Sequence, residues 1–113
     1  MTRGKDLRTG WLLFLLASTR FSYGYELRRE LDLRGVSLDA AVLYRSLRDM
    51  ESRALIVSRW IHSGEGPRRR VYEITGSGEA ELARIAASVQ VARDAHDTFL
   101  AAYRERGGEV ADA

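Results

Sequence analysis

The stretch that most constrains this chain lies near its end. From Glu79 to Arg106 there is neither glycine nor proline, and Leu82, Ile85, Val89, Ala92, His96, Phe99 and Tyr103 recur at spacings of 3, 4, 3, 4, 3 and 4. That is an unbroken heptad seam. At about 1.5 Å per residue, a helix of roughly 28 residues spans about 42 Å, longer than the body formed by residues 1–75 needs. Such a seam either folds back on its own domain or pairs with a second chain. Its length favours pairing, so all seven positions are read as dimerisation residues. His96 is read as a half-buried, hydrogen-bonded histidine rather than a ligand or a pH sensor. Thr75 or Ser77 can cap this helix, Glu79 and Glu81 suit its positive end, and Gly107-Gly108 closes it.

What precedes the seam changes period twice. Residues 5–18 read as a buried helix, apolar nearly all round in its second half. Arg20-Phe21-Ser22 is a break, with Ser22 able to cap a second helix of about Tyr23 to Leu33. Gly35 suits the turn that follows. Ser37 or Asp39 can cap a third helix over about 39–53, with Leu43, Leu47, Met50 and Ala54 as its apolar stripe. Leu55 to Ile61 is β-branched and aromatic, Ser63-Gly64-Glu65-Gly66-Pro67 is a turn cluster, and Arg68 to Thr75 alternates. The predicted fold is therefore mainly α with a small β-hairpin: a winged helix-turn-helix plus a long C-terminal dimerisation helix. The expected organisation is a DNA-binding unit over 1–75, a dimerisation helix over 76–107 and a loose tail over 108–113.

Charge supports a polyanion partner at the front of the chain. Residues 1–75 carry 14 Lys+Arg against 9 Asp+Glu, whereas residues 76–113 carry 4 against 7. The cations are 17 arginines and one lysine, and the planar guanidinium fork suits phosphates and guanine edges. The chain has no cysteine and only two histidines, His62 and His96, which leaves no basis for a disulfide or a zinc site. No cofactor or metal is expected. Trp11 to Ala17, behind Arg3, Lys5 and Arg8, imitates a signal peptide. Seven apolar residues sit at the bottom of the range for a signal core and are too few to span a bilayer. A cytoplasmic protein without membrane association is expected.

An enzyme is not expected. Gly64-Glu65-Gly66 and Gly76-Ser77-Gly78 are turns rather than phosphate loops, because no Gly-Lys-Ser/Thr follows. Ser77 lacks a nucleophile-elbow context, and the carboxylates form no recognisable pair.

Several stretches together resemble the PadR-like family of bacterial transcriptional regulators. They are Tyr23-Gly24-Tyr25-Glu26-Leu27, Leu43-Tyr44-Arg45-Ser46-Leu47 with Met50-Glu51, Leu55 to Trp60, and Ser63 to Thr75 with Gly78. They cover roughly residues 7–80 in the family's order and spacing. Three positions depart from the family's pattern: Tyr23 stands for a histidine, Ser37 to Val42 for a Ser-Pro-Gly-Thr-like run, and Ala54 for a glycine. The resemblance implies a winged helix-turn-helix homodimer of the compact branch, with one helix after the wing. It also implies a repressor relieved by a small molecule, and the two-fold symmetry of such a dimer predicts a palindromic operator in double-stranded DNA.

On this reading Ser37, Ala40, Ala41, Tyr44, Arg45 and Arg48 form the face that enters the major groove, Arg45 or Arg48 being suited to guanine. Arg68, Arg69 and Arg70 open the return strand of the wing and neutralise phosphates, with alternation turning Arg69 away from the other two. Tyr23 and Tyr25 flank the start of the helix that crosses the backbone. Trp11, Phe14, Phe99 and Tyr103 read first as core and second as a flat pocket for a small aromatic effector at the dimer interface. The alternative function is a dimeric winged-helix module that binds a ligand or a protein and holds DNA weakly.

Overall fold

A computed structural model of the chain describes residues 4–19, 22–62, 64 and 66–112, Lys5 by its backbone alone. Arg20 and Phe21 of the predicted break, and Ser63 and Glu65 of the predicted turn, lie outside the described residues. The elements are α1 (Gly4–Ser18), β1 (Ser22–Tyr23), α2 (Gly24–Leu33), α3 (Ala40–Ser52), β2 (Ile56–Ile61), β3 (Arg69–Ile74) and α4 (Gly76–Glu105). The strands form one antiparallel sheet in the order β1-β3-β2. Leu12, Leu13 and Leu16 of α1, Leu27 and Leu31 of α2, and Leu43, Leu47 and Met50 of α3 are fully buried together, with Ile56 of β2 beneath them. The apolar stripes read from the sequence are the ones that meet. Phe14 differs: it is 44% exposed, because α1 offers apolar residues on every side and the body covers only part of them.

The third strand was not foreseen. Ser22 pairs with Tyr72 and Tyr23 with Val71, so Ser22 extends the sheet instead of capping α2. Tyr23 takes the cap position, and its N–H donates to the Glu26 carboxylate at 3.1 Å. Asp39 caps α3 by accepting from the Val42 N–H at 2.8 Å, and Thr75 caps α4 by accepting from the Gly78 N–H at 3.0 Å.

The ends of α2, α3 and α4 close with the same turn. After α2 the Gly35 N–H donates to the Asp32 carbonyl and the Val36 N–H to the Leu31 carbonyl. After α3 the Ala54 N–H donates to the Glu51 carbonyl and the Leu55 N–H to the Met50 carbonyl, and after α4 Gly107 and Gly108 repeat the pattern. The pivotal residue of this motif adopts a left-handed conformation that favours glycine. Gly35 has φ 76° and Gly107 φ 94°, but α3 ends on Ala54 at φ 60°, the one non-glycine with positive φ among the described residues. An L side chain there costs roughly 1–2 kcal/mol, partly offset by the greater freedom glycine has when unfolded. Ala54→Gly is therefore expected to stabilise the protein by about 0.5–1 kcal/mol. Thermal melts followed by circular dichroism should show a rise of about 4 °C. A lower melting temperature would contradict this account of the turn.

Helix α4 has 30 residues and divides into two parts. Its first half lies along α1, with Ile85 buried and Leu82 and Val89 packed against the core. A Cβ on Gly10 would sit 2.9 Å from Ile85 Cγ2, which shows how close the two helices approach. Beyond Val89 the helix leaves the body: Val91 is 68% and Phe99 67% exposed, and Tyr103 and His96 are exposed too. The molecule is accordingly elongated, 66 × 27 × 21 Å. The predicted seam is continuous in sequence but serves two surfaces. Leu82, Ile85 and Val89 complete the chain's own core, and only the stretch from Ala92 to Tyr103 projects outward. His96 is exposed in the single chain rather than half-buried.

Candidate nucleic-acid interface

The N-terminus of α2, the outer face of α3 and the sheet enclose a groove of about 940 Å³. Tyr23, Gly24 and Tyr25 form one wall, Tyr44, Arg48 and Glu51 of α3 a second, and Trp60, Arg69, Arg70 and Tyr72 the third. The wall at α2 exists because β1 pairs with β3 and so brings Tyr23 beside the wing. The Tyr23 and Tyr25 rings stack with centroids 5.6 Å apart and planes 6° from parallel. Tyr44 rests directly on Gly24, where an added Cβ would come within 2.7 Å of its ring and hydroxyl. The glycine admits the ring of α3 against the start of α2 and thereby sets the spacing of the two helices.

Alternation sorts the three wing arginines as predicted. Arg68 and Arg70 lie over Trp60, 5.5 and 5.3 Å from the ring centroid. Arg69 lies on the other side, 5.9 Å from both Tyr23 and Tyr25, and donates to the Tyr25 hydroxyl at 3.3 Å. Cation–π contacts of this kind hold a guanidinium without neutralising it. Carboxylates do neutralise others: Arg53 pairs with Glu81, Arg59 with Glu73 and Arg70 with Glu51. Among the described residues, Arg45, Arg48, Arg68 and Arg69 form no ion pair, and all four are exposed. Arg48 and Arg69 line the groove, and Arg68 lies on the Trp60 that forms part of its wall.

The remaining predicted residues take varied places. Tyr25 is 54% and Tyr44 41% exposed. Ala40 and Ala41 are exposed on the first turn of α3, where their small side chains leave the backbone approachable. Ser37 is exposed but donates its hydroxyl to Asp32 at 3.3 Å. Burial pushes the Tyr72 phenol above its ordinary value, with Arg70 acting in the opposite direction. Tyr72, Trp60, Gly24 and Glu51 were not singled out for the site from sequence. The hairpin register, which sets Trp60 opposite Arg70, was the clue to the tryptophan, since cross-strand partners share a face.

The four aromatics proposed as an effector pocket separate into two pairs. Trp11 meets Phe14 edge to face at 5.9 Å, while Phe99 stacks on Tyr103 at 6.4 Å. Trp11 and Phe14 line an apolar groove of about 530 Å³ between α1 and α4, together with Leu7, Leu82, Ala86 and Val89. Phe99 lies ten residues beyond Val89, about 15 Å further along the helix, and does not reach that groove in its own chain.

The described residues contain no cluster of acidic, histidine or cysteine side chains able to hold a metal ion. No described helix is long and apolar enough to cross a membrane.

Known structures share this fold. A PadR family transcriptional regulator from Eggerthella lenta is 30% identical, with a TM-score of 0.71 over 82% of this chain and 83% of that one. A PadR-like transcriptional regulator from Bacillus cereus is 27% identical, with a TM-score of 0.72 over 85% and 93% of the two chains. Bacillus subtilis PadR, solved in complex with operator DNA, shares the fold at 22% identity and a TM-score of 0.63 over 69% of this chain and 45% of that one. Among curated proteins, none matches the chain. The family model for PadR-like transcriptional regulators, however, matches residues 12–84, from the core of α1 through the wing to the docked turn of α4. The chain thus belongs to the PadR-like family of transcriptional regulators, a family of regulators rather than of enzymes.

Proposed function

We propose that the protein is a homodimeric, sequence-specific DNA-binding repressor that is relieved by a small molecule. The observation that carries the DNA reading is that Arg48 and Arg69, neither held in an ion pair, line a groove between α3 and the wing, with Arg68 on the Trp60 of its wall and Arg45 exposed one turn before Arg48 on α3. A helix with small residues on its first turn and arginines behind them suits the major groove. The wing arginines suit flanking phosphates. Bacillus subtilis PadR, which shares the fold, was solved in complex with operator DNA, and this supports duplex DNA as the partner. Dimerisation is supported by the apolar residues that α4 holds in solvent, Val91, Phe99 and Tyr103. Two-fold symmetry then calls for a palindromic operator. For the effector, the apolar groove at Trp11 and Phe14 is the supporting feature. In a dimer, Phe99 and Tyr103 reach such a groove only from the second chain. A regulator of this kind acts inside the cell, where its operator is.

Selection of bound fragments from random duplex, followed by mobility shifts across a salt series, tests the reading. A palindromic consensus and an affinity that falls steeply with salt are expected. Arg48→Ala or Arg45→Ala should cost about 1–3 kcal/mol on the selected operator and much less on unrelated duplex. Arg69→Ala should weaken both alike and flatten the salt slope by about 0.9. Wild-type protein that ignores duplex at low salt would overturn the DNA assignment in favour of a ligand-binding module.

A further inference from the structure

One carboxylate of α3 holds both strands of the wing. Glu51, in the last turn of α3, accepts a short hydrogen bond from the Ser58 hydroxyl on β2. Its other oxygen accepts from Arg70 Nη2 on β3 at 3.2 Å. Arg70 Nε donates in turn to Ser58 Oγ at 2.8 Å, so the three side chains form a closed triangle. Arg70 also lies 5.3 Å from the centroid of Trp60, its cross-strand neighbour. The network is half-buried, with the Arg70 and Glu51 side chains 40% and 32% exposed. The Arg59–Glu73 pair also bridges the two strands, at 3.1 Å, but it ties the hairpin only to itself. Glu51 ties the hairpin to the helix.

We infer that Arg70 is not a DNA contact but, with Glu51 and Ser58, a positioning device that fixes the angle of the wing against the reading helix and so sets operator discrimination. The inference rests on the DNA-binding reading above and refines it. Three physical points carry it. The charge of Arg70 is already matched by Glu51, so the pair offers a phosphate no net attraction, unlike Arg68 and Arg69. The fork of Arg70 is occupied on two of its nitrogens by protein oxygens, which leaves little of it for a bidentate contact. Glu51 itself faces the groove that the arginines make positive. A carboxylate there opposes phosphate binding unless Arg70 stays on it, so its presence is understandable as a strut and costly otherwise.

The test compares wild type, the charge-neutral double variant E51A/R70A, and R70K, on a selected operator and on unrelated duplex across salt. Removing the pair together is expected to leave the salt slope and the affinity for unrelated duplex unchanged. The preference for operator should fall about tenfold as helix and wing lose register. R70K keeps the charge but not the fork that spans Ser58 and Glu51, so it too should lose discrimination while keeping the slope. The single variant E51A should release Arg70 to a phosphate and steepen the slope by about 0.9. A slope that instead flattens by about 0.9 in E51A/R70A, or full discrimination in R70K, would show Arg70 to be an ordinary phosphate contact and overturn the inference. These results concern the network alone when wild type binds duplex normally. Wild type that binds no duplex at all overturns the DNA reading and this refinement together. Should E51A/R70A fail to fold, R70K decides the question.

Discussion

Gly78→Ala is expected to lower the melting temperature by about 15 °C, a loss of about 3 kcal/mol. A Cβ at this position would lie 2.2 Å from the Leu55 carbonyl oxygen and 2.6 Å from Ile74 Cγ1. The isoleucine can turn aside, but the carbonyl is backbone and is already bound on its other side. It accepts from the Thr75 N–H at 3.1 Å, and the Thr75 hydroxyl lies between it and the Ala54 carbonyl at 3.0 and 2.7 Å. The same hydroxyl caps α4, and Arg53 reaches Glu81 one turn further on at 2.8 Å. To accommodate a methyl group the first turn of α4 has to lift from the α3–β2 turn, and several of these bonds go with it. Gly76→Ala is the control, because nothing lies within 4 Å of its built Cβ, and its melting temperature should hold within about 2 °C. Equal melting of the two variants, followed by calorimetry or circular dichroism, would refute the docking argument.

Phe99→Glu is expected to convert the protein to a monomer and to weaken operator binding by about 100-fold or more. The side chain is 67% exposed in the single chain, so its replacement removes no contact from the core and the subunit should remain folded. On the proposed pairing its energetic meaning lies with a second chain, since burying a phenylalanine contributes about 1.5–3 kcal/mol and a carboxylate in the same seam is disfavoured by more. Once the pairing is lost, the second half-site no longer benefits from the high effective concentration created by linkage. Sedimentation gives the oligomeric state and mobility shift the affinity. A variant that sediments as a dimer and binds as wild type would show that the distal half of α4 is not the pairing surface.

Most of the architecture was legible because it is written in local patterns. The stripes of α2 and α3, the cap at Asp39 and the alternation of Arg68, Arg69 and Arg70 each depend on residues a few positions apart. What escaped notice depends on separations that no period encodes. Strand β1 is two residues long, too short to show alternation, and it exists because β3 has an edge to offer. Glu51 and Arg70 are 19 positions apart, and nothing in a run of three arginines marks the middle of the groove as different from its rim. The heptad seam was read as one surface because its spacing is uniform. The division at Val89 comes from where α1 ends its support, a tertiary fact. Phe14 and Trp11 were ambiguous for the opposite reason, since a helix apolar on all sides does not state which side the body will cover. The departure at Ala54 was visible as a residue, but its cost becomes apparent only with its φ of 60°.

The wing and α4 are joined by a single residue, Thr75, between Ile74 and Gly76. In the proposed dimer no tether separates the part that touches nucleic acid from the part that would meet the second subunit, so the two heads of the pair would sit a set distance apart, like the jaws of a caliper. Such a protein should measure the spacer of its operator strictly. Inserting one or two base pairs at the centre of the palindrome ought to abolish two-headed binding, where a regulator with slack linkers would stretch to follow.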